Sequence, residues 1–90
     1  MTHTPNELGA AVVLVIQRER DRQGLSSREL ARRMGVTAQY VSSRIDGGNP
    51  RTGRRIDVTY EDGALFASAL GISSLELTMR AERVADGEEV

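Results

Sequence analysis

The sequence predicts an all-α fold of five helices. Three observations carry that prediction. Apolar residues recur at three- and four-residue spacing along most of the chain, Ser or Thr caps precede those runs, and glycines close them. The 90 residues leave room for one core, so a single domain over 1–90 is expected. Apolar residues make up 39% of the chain but aromatics only 3%, so that core must be aliphatic. Cysteine is absent, which excludes a disulfide scaffold and removes the usual structural zinc ligands. The longest apolar run, Ala10 to Ile16, is too short to span a bilayer, and no basic cluster precedes it. A soluble, cytoplasmic protein is expected.

Thr4-Pro5-Asn6-Glu7 joins a cap residue, a proline at the first helical position and a Glu three after the cap. Leu8, Ala11, Val12, Val15 and Ile16 then form a 3.6-period stripe. The β-branched run around Val12 would suit a strand, but no turn signal follows until Gly24, so helix 1 is expected over 5–23. Ser26 to Glu29 reads as a capping box that opens a short helix with Leu30, Ala31 and Met34 inward, stopped by Gly35. Thr37 caps a third helix, Ala38 to about Asp46, with Val41 and Ile45 inward. Gly47-Gly48-Asn49-Pro50 breaks it and opens a long basic loop over 47–58, whose end alternates in a way that permits a brief extended piece. Thr59, with Asp62 three on, caps a fourth helix expected to bury Leu65, Phe66, Ala69 and Leu70 before Gly71. Ser73 to Glu76 reads as another box, opening a fifth helix with Leu75 and Met79 inward. The C-terminal helix and acidic tail occupy 73–90.

The net charge of −1 does not by itself suggest a polyanion partner, but its distribution does. Between Gln17 and Arg55 ten arginines face four acids, whereas between Ile56 and Val90 two arginines face eight. Such asymmetry marks the basic part as a candidate for binding a polyanion, although solvated helix faces produce the same pattern. Arg18, Arg20 and Arg22 alternate with Glu19 and Asp21 and read as one such solvated face. His3 stands alone, no lysine serves a phosphate loop, and no nucleophile–base set can be assembled, so neither an enzyme, a metal nor a cofactor is expected.

The informative stretch is Ser27-Arg28-Glu29-Leu30-Ala31-Arg32-Arg33-Met34-Gly35-Val36-Thr37-Ala38-Gln39-Tyr40-Val41. Leu30, Met34 and Val41 hold two helices on a core, and Ala31 permits a close crossing. Gly35 ends the first helix with a positive φ, Val36 plugs the turn, and Thr37 caps the second helix while its first residues project outward. Two helices joined in this way form a helix-turn-helix (27–46), whose projecting end fits a major groove.

This pattern resembles the lambda-repressor-like, or XRE/Cro, helix-turn-helix family over about residues 7–77. Leu30-Ala31-Arg32-Arg33-Met34-Gly35-Val36 matches its core motif, and Ala69-Leu70-Gly71-Ile72-Ser73 its last turn. The sequence departs from the family in two places. Arg44 stands where an apolar residue is usual, which leaves the register of the third helix open by one residue, and the 47–58 loop is long. The resemblance implies a compact five-helix domain that reads double-stranded DNA. Its base-reading positions fall on Ala38, Gln39, Ser42 and Ser43, of which Gln39 has the amide that pairs adenine N6 and N7. Phosphate-binding candidates are Ser27, Arg28, Thr37, Tyr40, Arg44, Arg51, Arg54 and Arg55. The resemblance further implies transcription regulation by a phage or plasmid repressor or Cro-like protein. Relatives dimerise through the C-terminal segment, here Leu75, Leu77, Met79 and Val84. Two other readings stay open. One is an antitoxin of this fold that also binds a toxin through its C-terminal segment. The other is a protein-interaction module without DNA binding.

Overall fold

A computed structural model describes residues 5–46 and 58–87. The expectations for His3, the Thr4 cap, residues 47–57 with Arg51, Arg54 and Arg55, and residues 88–90 lie outside that range. The described residues form five helices: α1 (Pro5–Gln23), α2 (Ser27–Met34), α3 (Ala38–Ile45), α4 (Tyr60–Leu70) and α5 (Ser74–Ala85). All five coincide with the predicted elements. Val58 precedes the α4 cap outside any regular element.

Three of the joints are built alike from three residues, a glycine, an aliphatic residue and a Ser or Thr. Gly24-Leu25-Ser26 links α1 to α2, Gly35-Val36-Thr37 links α2 to α3, and Gly71-Ile72-Ser73 links α4 to α5. At each, the glycine sits near φ +70 to +77 and its N–H donates to a carbonyl three residues back. The aliphatic N–H donates five residues back, and this pair of bonds is a Schellman closure. The aliphatic side chain packs on the core, and the hydroxyl then accepts the N–H of the residue three further on, in the first turn of the next helix. Among the described helix caps, only that of α4 is a full capping box, in which Thr59 and Asp62 exchange side-chain and backbone bonds. At Ser26 the Glu29 carboxylate accepts from the cap hydroxyl instead, and Glu76 beyond Ser73 pairs with Arg80.

Every helix contributes to one core. Val13, Val15 and Ile16 of α1 meet Leu30 and Ala31 of α2, Val41 and Ile45 of α3, Phe66, Ala67 and Leu70 of α4, and Leu77 and Ala81 of α5. The valines of α1 stay helical because this buried packing outweighs their small intrinsic cost in a helix. α1 packs most extensively on α5, while α3 lies chiefly against α2 and α1.

Three expectations are corrected here. Leu65 is exposed, since α4 turns Phe66, Ala67 and Leu70 inward. On α5 the stripe facing the core is Leu77–Ala81, with Val84 half-buried behind it. Leu75 and Met79 point outward, 69% and 45% exposed. Arg20 does not lie on a solvated face. Its Nη1 reaches both Asp46 carboxylate oxygens at 2.6 Å, which ties α1 to the end of α3. Arg22 and Arg80 converge instead on the buried Glu19 carboxylate, whose pKa they hold low: the Arg22 bond more than offsets its burial, and Arg80 adds to it.

Candidate nucleic-acid interface

The α2–turn–α3 unit is built so that one end of α3 is free and the other is fixed. Thr37 has extended backbone angles, and its side chain accepts the Tyr40 N–H at 3.1 Å, which starts α3 cleanly. Val41 and Ile45, one turn apart, are fully buried and set the roll of the helix. With that roll, Thr37, Ala38 and Gln39 are all exposed at the N-terminal end. No side-chain partner holds Gln39 among the described residues, so its amide is free to meet an external group. The N-terminal end of α3 also carries unpaired backbone N–H groups and a partial positive charge.

The C-terminal end of α3 is tied down. Gln17 donates to the Ile45 carbonyl. Asp46 accepts from Arg20, and from the Ser27 hydroxyl at 2.5 Å. Burial pushes the Asp46 carboxyl upward, but the Arg20 and Ser27 bonds outweigh it and hold the group below its ordinary value.

A second knot joins α3 to α4. The Tyr40 hydroxyl donates to one oxygen of Asp62 and Arg44 Nε to the other, at 3.1 Å in the second case. The Thr59 N–H donates to Asp62 at 3.2 Å, and the Arg44 guanidinium lies 3.5 Å from the Tyr40 ring centroid. Burial raises the Tyr40 pKa, and the Asp62 charge raises it further. Burial also acts upward on Asp62, but Tyr40, Thr59 and Arg44 together keep its pKa low.

These contacts sort the predicted site residues. Ala38, Gln39 and Thr37 are available at the surface, and Ser42 is half-buried with its hydroxyl on the Gln39 carbonyl at 3.4 Å. Ser43 is buried and donates to the Tyr40 carbonyl, so it faces away from any groove. Arg28 is exposed and without an ion-pair partner among the described residues. The hydroxyl of Ser27 is committed to Asp46, and Tyr40 and Arg44 to Asp62, so these three side chains are not free phosphate ligands. Leu77, expected at a dimer surface, lies in the core because α5 turns the Leu77–Ala81 stripe inward. Sequence reasoning passed over Arg32, exposed one turn after Arg28 on α2 and likewise unpaired among the described residues. The i, i+4 spacing of the two arginines was the available signal.

The family model for the helix-turn-helix matches residues 16–54, from the middle of α1 past the end of α3. The matched segment contains the whole α2–turn–α3 unit and is similar to helix-turn-helix proteins. No curated protein and no solved structure matches the chain. Among the described residues, no helix is long and apolar enough to cross a membrane.

Proposed function

We propose that the protein is a sequence-specific transcriptional regulator of the repressor or Cro type, which inserts the N-terminal turn of α3 into the major groove of an operator. The observation that carries this reading is the asymmetry of α3. Its first turn is exposed, capped and furnished with Gln39, while its last turn is anchored from α1 and α4. A projecting reader on a fixed base is what groove recognition requires, because a loosely held helix would lose the orientation that a bidentate contact needs.

Gln39 reads base edges, and Ala38 offers a methyl to a thymine. Arg28, Arg32 and the Thr37 region meet phosphates, together with Arg51, Arg54 and Arg55 of the basic stretch after α3. The regulator acts as a homodimer on a partly palindromic site. Leu75 and Met79, one turn apart and exposed on α5, supply the apolar contact. The same exposed pair supports the second reading, an antitoxin that engages a toxin through α5. A mobility-shift titration on duplex from the protein's own upstream region tests the proposal. Retention of that duplex in the presence of excess random duplex is expected, and equal competition by the two would contradict sequence-specific reading.

A further inference from the structure

Arg44 lies in the last turn of α3, where an arginine beside a groove-bound helix would ordinarily be taken for a phosphate contact. Its surroundings give it another task. The side chain is only 16% exposed, its Nε is on Asp62, its Nη1 is on the Tyr40 carbonyl at 3.2 Å, and its guanidinium carbon lies over the Tyr40 ring. Asp62 is equally enclosed, at 10% exposure. It accepts from Tyr40, Arg44 and the Thr59 backbone, so its charge is satisfied from within the fold.

Resting on the DNA-binding reading above, we infer that Asp62 is a specificity-determining positioning residue: its carboxylate occupies Arg44 in place of a DNA phosphate and, through Tyr40, fixes the roll of the recognition helix. The consequence follows from how the two kinds of contact behave. A phosphate contact from Arg44 would strengthen binding to every duplex alike, whereas base contacts from the first turn of α3 discriminate among duplexes. Holding Arg44 on an internal carboxylate therefore lowers the sequence-independent part of the affinity and leaves the base-reading part intact. The clasp also joins α3 to α4, a helix it otherwise scarcely packs against, since α3 rests mainly on α2 and α1. Tyr40 and Arg44, four residues apart on α3, converge on a single carboxylate of α4. That triangulation resists rotation of the helix about its own axis.

The test uses the full chain and a fluorescent random-sequence duplex, with affinity measured over a range of salt concentrations and circular dichroism confirming helix content. Asp62→Asn keeps an acceptor for the Thr59 N–H but removes the charge that holds Arg44. Random-duplex binding should tighten a few-fold at low salt, with the slope of log affinity against log salt steeper by roughly 0.9, the signature of one added phosphate contact. Adding Arg44→Gln to that variant should abolish the gain. Arg44→Gln alone should leave the wild-type slope unchanged, because Arg44 makes no phosphate contact to lose. This single variant keeps the test decisive should Asp62→Asn fail to fold. A shallower slope in Arg44→Gln, or an unaltered slope in folded Asp62→Asn, would overturn the inference while leaving DNA binding in place. Absence of salt-dependent binding by the wild-type protein would overturn the DNA-binding reading, and this inference with it.

Discussion

Asp46→Ala isolates the anchor at the C-terminal end of α3. The substitution leaves the Arg20 guanidinium without its main partner and strands the Ser27 hydroxyl, which donates to the same carboxylate. Removing one partner of a fully buried ion pair costs about 3–5 kcal/mol, because the remaining charge is left uncompensated. Here the two side chains are 14% and 25% exposed, so water screens part of the loss and about 2–3 kcal/mol is expected. For a domain of this size each kcal/mol moves Tm by about 4–8 °C, which places the expected drop at roughly 10–20 °C at neutral pH. The pH dependence supplies an internal control. The folded pKa of Asp46 lies below its ordinary value of 3.8, so its stabilising contribution is complete above the ordinary carboxylate range and is lost as pH falls through the folded value. Thermal melts followed by circular dichroism from pH 7 to pH 3 should therefore show the gap between wild type and variant narrowing only in acid. Replacing both partners, as Arg20→Met with Asp46→Leu, should recover most of the loss. A loss below about 0.5 kcal/mol at pH 7, or a gap that ignores pH, would refute the reasoning, since that is the range of an ordinary surface substitution.

Three further outcomes follow from the same contacts. Gly35→Ala should cost about 1 kcal/mol in denaturant titration, purely through the backbone. An added Cβ meets no atom within 4 Å, yet the residue sits at φ +73. Leu75→Asp combined with Met79→Glu should leave Tm nearly unchanged while sedimentation velocity shows a shift from dimer to monomer, because both side chains are exposed. An unchanged mass would exclude that face as the dimer contact. Leu77→Ala, by contrast, should cost about 2–5 kcal/mol, as expected when a core leucine is truncated.

Much of this architecture was legible because its signals are local. Each Gly–aliphatic–Ser/Thr joint announces one helix end and the next helix start within three residues, so the boundaries of α2, α3 and α5 could be read directly. The roll of α3 was also readable from Val41 and Ile45. The roll of α5 was not. Leu75–Met79 and Leu77–Ala81 offer two competing stripes at the same four-residue spacing, and hydrophobicity favours the first. Packing chose the second, where a small alanine allows α5 to lie close on α1. The polar knots escaped for a different reason. Asp62 meets Tyr40 and Arg44 from 22 and 18 residues away, and Arg20 meets Asp46 from 26, distances over which no periodicity carries information. Those same knots removed Tyr40, Arg44 and the Ser27 hydroxyl from the set of free phosphate ligands. Arg44 in particular, an anomaly in the apolar pattern of α3, is accounted for by a carboxylate waiting on α4.

The proposed reading of base edges by Gln39, in the exposed first turn of α3, is open to a direct comparison. Wild-type protein and Gln39→Ala are each titrated by fluorescence anisotropy against a duplex selected from a random pool by the wild type, and against a scrambled duplex of the same composition. Gln39 is exposed, so the melting curves of the two proteins should coincide. A loss of about 1–3 kcal/mol is expected on the selected duplex, the worth of one bidentate base contact. Affinity for the scrambled duplex should hold, because phosphate contacts are untouched. Equal losses on both duplexes, or no loss on either, would contradict the assignment of Gln39 as the base reader.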